Sequence, residues 1–301
     1  MSTSETSSSP RPEALYPPTG QILDLAGSRV HAHQEGSGPD LVLIHGASGN
    51  TREFTFSLAG KLAADFRVTV FDRPGHGHSS RIAGRENAGE TPIEQARLLK
   101  TAADRLGLVK PVILGQSYGG AVALAYALAH PQDLSALVCV AGVSNPWPGV
   151  LDPWYRLTDT FLGRRLAIPL VAAALPHSYV RNSVAAIFAP DPVPPGYLEH
   201  IGLPLSLRRV TLEANTQQIN RLLGDVAQMA PRYGSIDVPT EIVHGTNDIT
   251  VPLDIHALPL SRQIPGAQLT RLDGIGHMPH HAAERDVIAA VHRAANRAGL
   301  R

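Results

Sequence analysis

Residues 115–119 read Gly-Gln-Ser-Tyr-Gly, between the apolar run Val112-Ile113-Leu114 and the apolar stretch Gly120–Ala129. Five letters alone constrain little; their frame constrains a great deal. A short apolar run of β type passes at once into a helix-forming stretch, so Ser117 is the turn residue of a strand–turn–helix unit. Such a sharp turn forces its central residue into strained backbone, which is tolerated only if the neighbours two places away lack side chains. Gly115 and Gly119 meet that need. The turn would hold the Ser117 hydroxyl at the tip of the sheet, beside the positive end of the following helix. The bland alternative is a glycine-rich turn carrying an ordinary solvated serine.

A serine is a poor nucleophile without a base, an acid to orient that base, and donors for the oxyanion. The chain offers candidates for each. Asp248 follows the strand-like run Thr240–Val243, and His277 lies in the loop after the strand-like run Gln268–Leu272. Ser117, Asp248 and His277 therefore occur in the order Ser…Asp…His, each just past a strand end. Near the start, Leu41–Ile44 reads as a buried strand that ends in His45-Gly46-Ala47-Ser48-Gly49. A glycine-rich loop of this kind can turn backbone N–H groups toward a developing oxyanion.

With the turn Phe71-Asp72-Arg73-Pro74-Gly75-His76-Gly77-His78-Ser79 between them, these segments make the chain resemble an α/β-hydrolase over about residues 20–298. The resemblance implies Ser117 as nucleophile, His277 as general base and Asp248 as its orienting acid. It implies the Ala47 and Tyr118 backbone N–H groups as the oxyanion hole. It makes Asp72, Gly75, Gly77 and Ser79 a structural turn. One departure is visible: many relatives carry a glutamate five residues after the catalytic histidine, where this chain has Ala282. Some relatives take their acid from the region after the sixth strand, which leaves Asp152 as a rival to Asp248. A serine in place of the aspartate nucleophile disfavours the alkyl-enzyme route of epoxide hydrolases and haloalkane dehalogenases. Acyl chemistry remains, together with carbon–carbon bond hydrolysis, perhydrolysis, hydroxynitrile cleavage and a receptor that keeps the triad without turnover.

The expected fold is α/β: a mostly parallel eight-stranded sheet with helices on both faces and an α-helical cap insertion. Strand-like runs at Ile22–Leu25 and Arg29–Gln34 precede the alternation of strands and helices. Helices are expected at about 52–63, 92–106, 117–130, 254–263 and 281–298. Thr91-Pro92-Ile93-Glu94 is a capping box with proline in the first turn. The pattern breaks across 144–237, where prolines cluster around helix-compatible stretches at Trp154–Val171, Ser178–Phe188 and Leu207–Met229. The expected organisation is a disordered tail at 1–19, a core at 20–143 and 238–301, and a helical cap at 144–237. Trp147 and Trp154 are the principal candidates for the substrate wall, with Tyr155, Phe161 and Phe188 behind them.

Composition restricts the partners. Lys plus Arg and Asp plus Glu number 26 each, so no basic excess favours nucleic acid or an anionic membrane. The Ser/Thr/Pro-rich start has no apolar segment of signal-peptide type, which gives a cytoplasmic expectation. Cys139 is the single cysteine, so no intrachain disulfide forms, and its strand-like surroundings make it a buried, inert thiol. Among the 14 histidines, His76-x-His78 and His277-x-x-His280-His281 have ligand-like spacing. The first falls in the structural turn and the second contains the expected base, so neither a metal nor a cofactor is expected. His45 reads as a loop-shaping hydrogen bonder. The expected partner is a small acyl substrate, with a homodimer compatible with the chain. The expected function is a serine esterase acting on a small carboxylic ester through an acyl-enzyme.

Overall fold

The computed structural model describes residues 11–149, 153–160, 163–170 and 176–300. Its framework is an eight-stranded sheet in the order β1-β2-β4-β3-β5-β6-β7-β8. The strands are β1 Gln21–Leu25, β2 Ser28–Glu35, β3 Asp40–Ile44, β4 Arg67–Phe71, β5 Val112–Gln116, β6 Ala136–Val140, β7 Thr240–Gly245 and β8 Gln268–Leu272. β2 pairs antiparallel with both β1 and β4. Every pairing from β4 through β3 to β8 is parallel.

The central strands are apolar because both sheet faces are covered, and the period-2 pleat deals their side chains to opposite cores. Val42, Ile44, Ile113, Leu137 and Cys139 enter one core. Leu41, Leu43, Val112, Leu114 and Val138 enter the other. The first core is closed by helices α1 Pro92–Arg105 and α2 Tyr118–Ala129; the helix at 284–297 closes the second. Helix α2 is apolar all round because it is buried on every side. The expected capping box starts α1: the Thr91 hydroxyl accepts from the Glu94 N–H at 3.2 Å, and the Glu94 carboxylate accepts from the Thr91 N–H at 2.8 Å. Burial pushes the Cys139 thiol up to about 12.

Strand order reverses between β3 and β5, and loops at such a switch point diverge to leave a crevice at the carboxyl ends of the strands. The chain between β6 and β7 crosses that end as helices. They include Pro153–Asp159, α3 His177–Phe188 and the long α4 Arg209–Met229. The expected helical stretch Trp154–Val171 is interrupted: a π-type turn occupies Gly163–Ala167, and 161–162 and 171–175 lie outside the described residues. The expected helix at 52–63 divides into Arg52–Thr55 and Leu58–Leu62, and that at 281–298 into Pro279–Ala282 and Glu284–Arg297. No helix among the described residues is long and apolar enough to cross a membrane.

The expected tail differs in its second half. Pro12–Leu15 forms a helical turn, Glu13 accepts from Arg208 at 2.7 Å, and the Tyr16 carbonyl meets His78 Nε2 at 2.9 Å. Polar composition hid these contacts, because their partners lie far along the chain.

Glycines set how closely the site-bearing segments approach. A Cβ on Gly115 would stand 2.1 Å from the Gly119 carbonyl oxygen, and one on Gly119 would stand 2.1 Å from that of Ile44. Backbone cannot yield that distance cheaply. Gly119→Ala should therefore cost about 3 kcal/mol or prevent folding. By contrast Gly224, exposed within α4 with no neighbouring atom within 4 Å of a Cβ, should gain about 0.5–1 kcal/mol on substitution by alanine. Urea unfolding of both variants checks the pair; equal, small effects would contradict the packing described.

Candidate active site

Ser117 sits between β5 and α2 with φ 53° and ψ −119°, a left-handed conformation costly for a residue with a side chain. The strain is held by hydrogen bonds. Its N–H donates to the Val140 carbonyl at 3.0 Å, and its carbonyl accepts from Gly120 at 2.9 Å and Val143 at 3.0 Å. The hydroxyl that this turn presents lies 2.9 Å from His277 Nε2. His277 Nδ1 lies 2.8 Å from Asp248 Oδ2. With Nδ1–H donating to the carboxylate, Nε2 is free to accept the serine proton. The structure thus brings Ser117, His277 and Asp248 into one hydrogen-bonded line. Asp152 lies outside the described residues.

Asp248 is fixed from its other side. Its Oδ1 accepts from the Thr250 and Val251 N–H groups at 2.9 and 2.8 Å. Burial works to raise this carboxyl, but hydrogen bonds from His244, His277 and Val251 outweigh it and hold the group well below the usual carboxylate range. The anion therefore persists and stabilises a positive charge on the facing imidazole.

Ala47 and Tyr118 line the same cavity as Ser117 and His277. Among the described residues neither N–H has a hydrogen-bond acceptor. Tyr118 is the first residue of α2, where orphan N–H groups and the helix dipole both favour negative charge. The loop that carries Ala47 is shaped by Arg73, whose guanidinium is fully buried. It donates to the His45 and Gly46 carbonyls at 2.9 Å each, and to Gln95 and Gln218 at 3.0 and 2.8 Å. It also lies 4.3 Å from the centre of the Tyr118 ring, a cation–π contact. Burial and the Arg73 charge push His45 down to about 4. It is a neutral bridge, accepting from the Arg73 N–H at 3.0 Å and donating to the Gly46 carbonyl at 2.8 Å. These bonds fix both carbonyls of the segment that leads into Ala47, a residue of the cavity lining.

That cavity has a volume of about 690 Å³ and is mainly apolar, walled by Trp147, Tyr155, Val184, Ile187, Phe188 and Ile219. Trp147 is where the sequence expectation put it. Trp154 is not on the wall; its neighbour Tyr155 is. Successive helical side chains point about 100° apart, so only one of two adjacent residues faces inward, and aromatic character alone does not say which. Phe161 lies outside the described residues.

The remaining ligand-like histidines separate. His76 Nδ1 meets the Pro74 carbonyl and His78 Nε2 that of Tyr16. His280 and His281 instead converge on Glu53, whose Oε1 accepts from their Nε2 atoms at 2.9 and 2.7 Å. The Tyr197 hydroxyl donates to Glu53 Oε2 at 2.8 Å. These three acid and imidazole groups form the one cluster with metal-ligand proximity among the described residues. Its ligand atoms already satisfy one another as hydrogen bonds. Sequence reasoning missed Glu53; the alanine at 282 was its only trace. The carboxylate that braces the His277 loop comes from the segment after β3.

Burial works to raise the Glu53 carboxyl, but hydrogen bonds from His280 and His281 hold it well below its usual range. Its contribution to stability is therefore full above the unfolded value of about 4.3 and is lost as pH falls toward the lower folded value. Glu53→Gln should cost about 3 kcal/mol at pH 7, with the gap to the native chain narrowing as pH drops from 5 toward 3. Urea unfolding across that range checks it; a gap that widens in acid would contradict the sign.

The comparisons agree with this architecture. A family model described as α/β hydrolase fold matches residues 39–174. A 2-hydroxymuconate semialdehyde hydrolase of Pseudomonas is 28% identical over 273 residues, covering 89% of this chain and 91% of its own. An α/β-hydrolase-fold protein from Burkholderia ambifaria superposes with a TM-score of 0.72 at 24% identity, covering 91% of this chain and 97% of that one. A thermophilic esterase from Thermogutta terrifontis superposes with a TM-score of 0.68 at 21% identity, covering 93% and 99%. With its sheet order, its strained serine turn and the family model that matches residues 39–174, the chain has the α/β-hydrolase fold.

Proposed function

We propose that the chain is a serine hydrolase that cleaves an uncharged carboxylic ester through an acyl-enzyme. The observation that carries this reading is the line Asp248–His277–Ser117, with contacts of 2.8 and 2.9 Å, opening on a predominantly apolar cavity. In the reaction, Ser117 Oγ attacks the ester carbonyl carbon while His277 Nε2 takes its proton. The carbonyl oxygen becomes an anion, received by the Ala47 and Tyr118 N–H groups. Asp248 balances the imidazolium charge and keeps the ring in the productive tautomer. His277 then returns the proton to the leaving alkoxide, which departs as the alcohol and leaves the acyl group on Ser117. Water, deprotonated by His277, attacks the acyl carbon; the acid leaves and the serine regains its proton.

The Pseudomonas relative favours a second reading, carbon–carbon bond hydrolysis with the same triad. A muconate-derived substrate bears a carboxylate. Burying a carboxylate needs a cationic partner or several donors. Among the described residues that line the cavity there is no lysine or arginine, and the one carboxylate, Glu53, already accepts from three side chains. That electrostatic balance supports the ester reading over the carboxylate-bearing substrate.

Turnover of p-nitrophenyl esters of graded acyl length, set beside 2-hydroxy-6-oxohexa-2,4-dienoate, tests the choice. The esters should be cleaved with the higher kcat/KM, and Ser117→Ala should lose about 10⁴–10⁶-fold. Preference for the dienoate, or ester turnover that survives in Ser117→Ala, would reverse the reading.

A further inference from the structure

His256 is a polar group on the cavity wall that the reaction above does not use. It caps the start of helix α5 Ala257–Gln263 and is 2% exposed. Its Nδ1 accepts from the backbone N–H groups of Ser144 and Asn145, each at 3.2 Å. Its carbonyl accepts from the Ser144 hydroxyl at 3.0 Å. A neutral imidazole whose Nδ1 is an acceptor carries its proton on Nε2. Ionising the ring would put a third N–H against the two that already point at Nδ1, and burial pushes the group down to about 4. The ring is therefore held in one neutral tautomer.

Among the described residues nothing accepts from Nε2. Val143, Val251 and Ile255 line the same cavity, as do Thr250 and His277, the Trp147 ring centre lies 6.0 Å from that of His256, and His244, Asp248 and His277 are near enough to act on the ring electrostatically. One fixed N–H on a largely apolar wall has a consequence for what the cavity binds. A substrate that fills this space with methylenes leaves a buried donor unpaired, which is costly. A substrate with an oxygen at that depth does not. Sites with a built-in donor reject analogues that lack the acceptor more strongly than apolar pockets reject an added methylene.

We propose that His256 is a specificity-determining residue whose Nε2–H donates to a neutral acceptor oxygen of the substrate other than the scissile carbonyl oxygen, so that the preferred substrates are esters carrying a second ether, carbonyl or hydroxyl oxygen. This rests on the ester reading and sharpens it. His256 takes no part in proton transfer.

Matched p-nitrophenyl esters test it, each pair differing by one oxygen in place of one methylene: methoxyacetate with butanoate, 3-methoxypropanoate with pentanoate, 4-methoxybutanoate with hexanoate. The ether-to-alkyl ratio of kcat/KM, compared between enzyme variants, cancels the intrinsic reactivity of each ester. His256→Asn places an amide oxygen where Nδ1 stands and removes the Nε2 donor. His256→Gln places an amide near Nε2 and keeps a donor there. At one oxygen position the ratio should fall about five- to tenfold in His256→Asn and stay closer to the parent value in His256→Gln. Ratios unchanged in His256→Asn at every position, as when cavity water serves the N–H, would overturn the proposal. A second readout needs no turnover. Nitrogen-15 NMR of Ser117→Ala should show His256 protonated at Nε2 alone, with that nitrogen shifting on addition of the methyl ether ester of the preferred pair and not of its alkyl partner. Protonation at Nδ1, or equal shifts with both ligands, would refute the role of His256. Absence of any ester turnover in the parent enzyme would instead refute the ester reading.

Discussion

Everything at the site depends on how closely β3, β5 and helix α2 approach around Ser117. The left-handed turn at this residue, φ 53°, is affordable only because Gly115, Gly119 and Gly120 let backbone lie on backbone. A Cβ on Gly120 would stand 2.6 Å from the Gly142 Cα. The same approach aligns the Ser117 hydroxyl with His277, puts the first N–H of α2 beside it, and leaves Gly46 packed against the Gln116 and Ser117 side chains. The Ser117 hydroxyl, its contact with His277 and the first N–H of α2 are therefore placed by one backbone constraint.

Around that constraint stands a shell of buried charge. Arg73 is enclosed by carbonyls, amides and an aromatic face, so its charge is fully hydrogen-bonded rather than merely buried. It joins the loop after β3 to Gln218 of α4 and so ties that loop to the helices above the sheet. Asn215, also on α4, accepts from the Ser48 N–H at 2.8 Å. Glu53 does the same for the other side, joining the segment after β3 to the His277 loop and to Tyr197. The helices above the sheet and the loops that carry Ala47 and His277 thus share partners. Strain stored at Ser117 is opposed by these contacts, and the cavity shape follows from where they anchor the helices.

Parts of this were legible in the residues. The strand runs are short and apolar because both sheet faces are covered, which made them visible. The serine turn announced itself through its glycines, and Asp248 and His277 through their places after strand-like runs. What stayed hidden has a common cause: it depends on contacts between residues far apart in the chain. Glu53 and His280 are 227 residues apart, and His256 meets Ser144 across 112. No local pattern encodes such pairings. The exchange of Trp154 for Tyr155 on the cavity wall has a different origin, since the facing side of a helix is set by how it packs. Likewise, the polar start of the chain gave no hint that Glu13 and Tyr16 would find partners on Arg208 and His78.

The central claim is that the strained turn makes Ser117 the one serine activated as a nucleophile. Reaction with a fluorophosphonate followed by peptide mass spectrometry tests it directly, without choosing a substrate. The account predicts a single adduct on the peptide containing Ser117, absent in Ser117→Ala. An adduct on any other serine, or none at all, would contradict it.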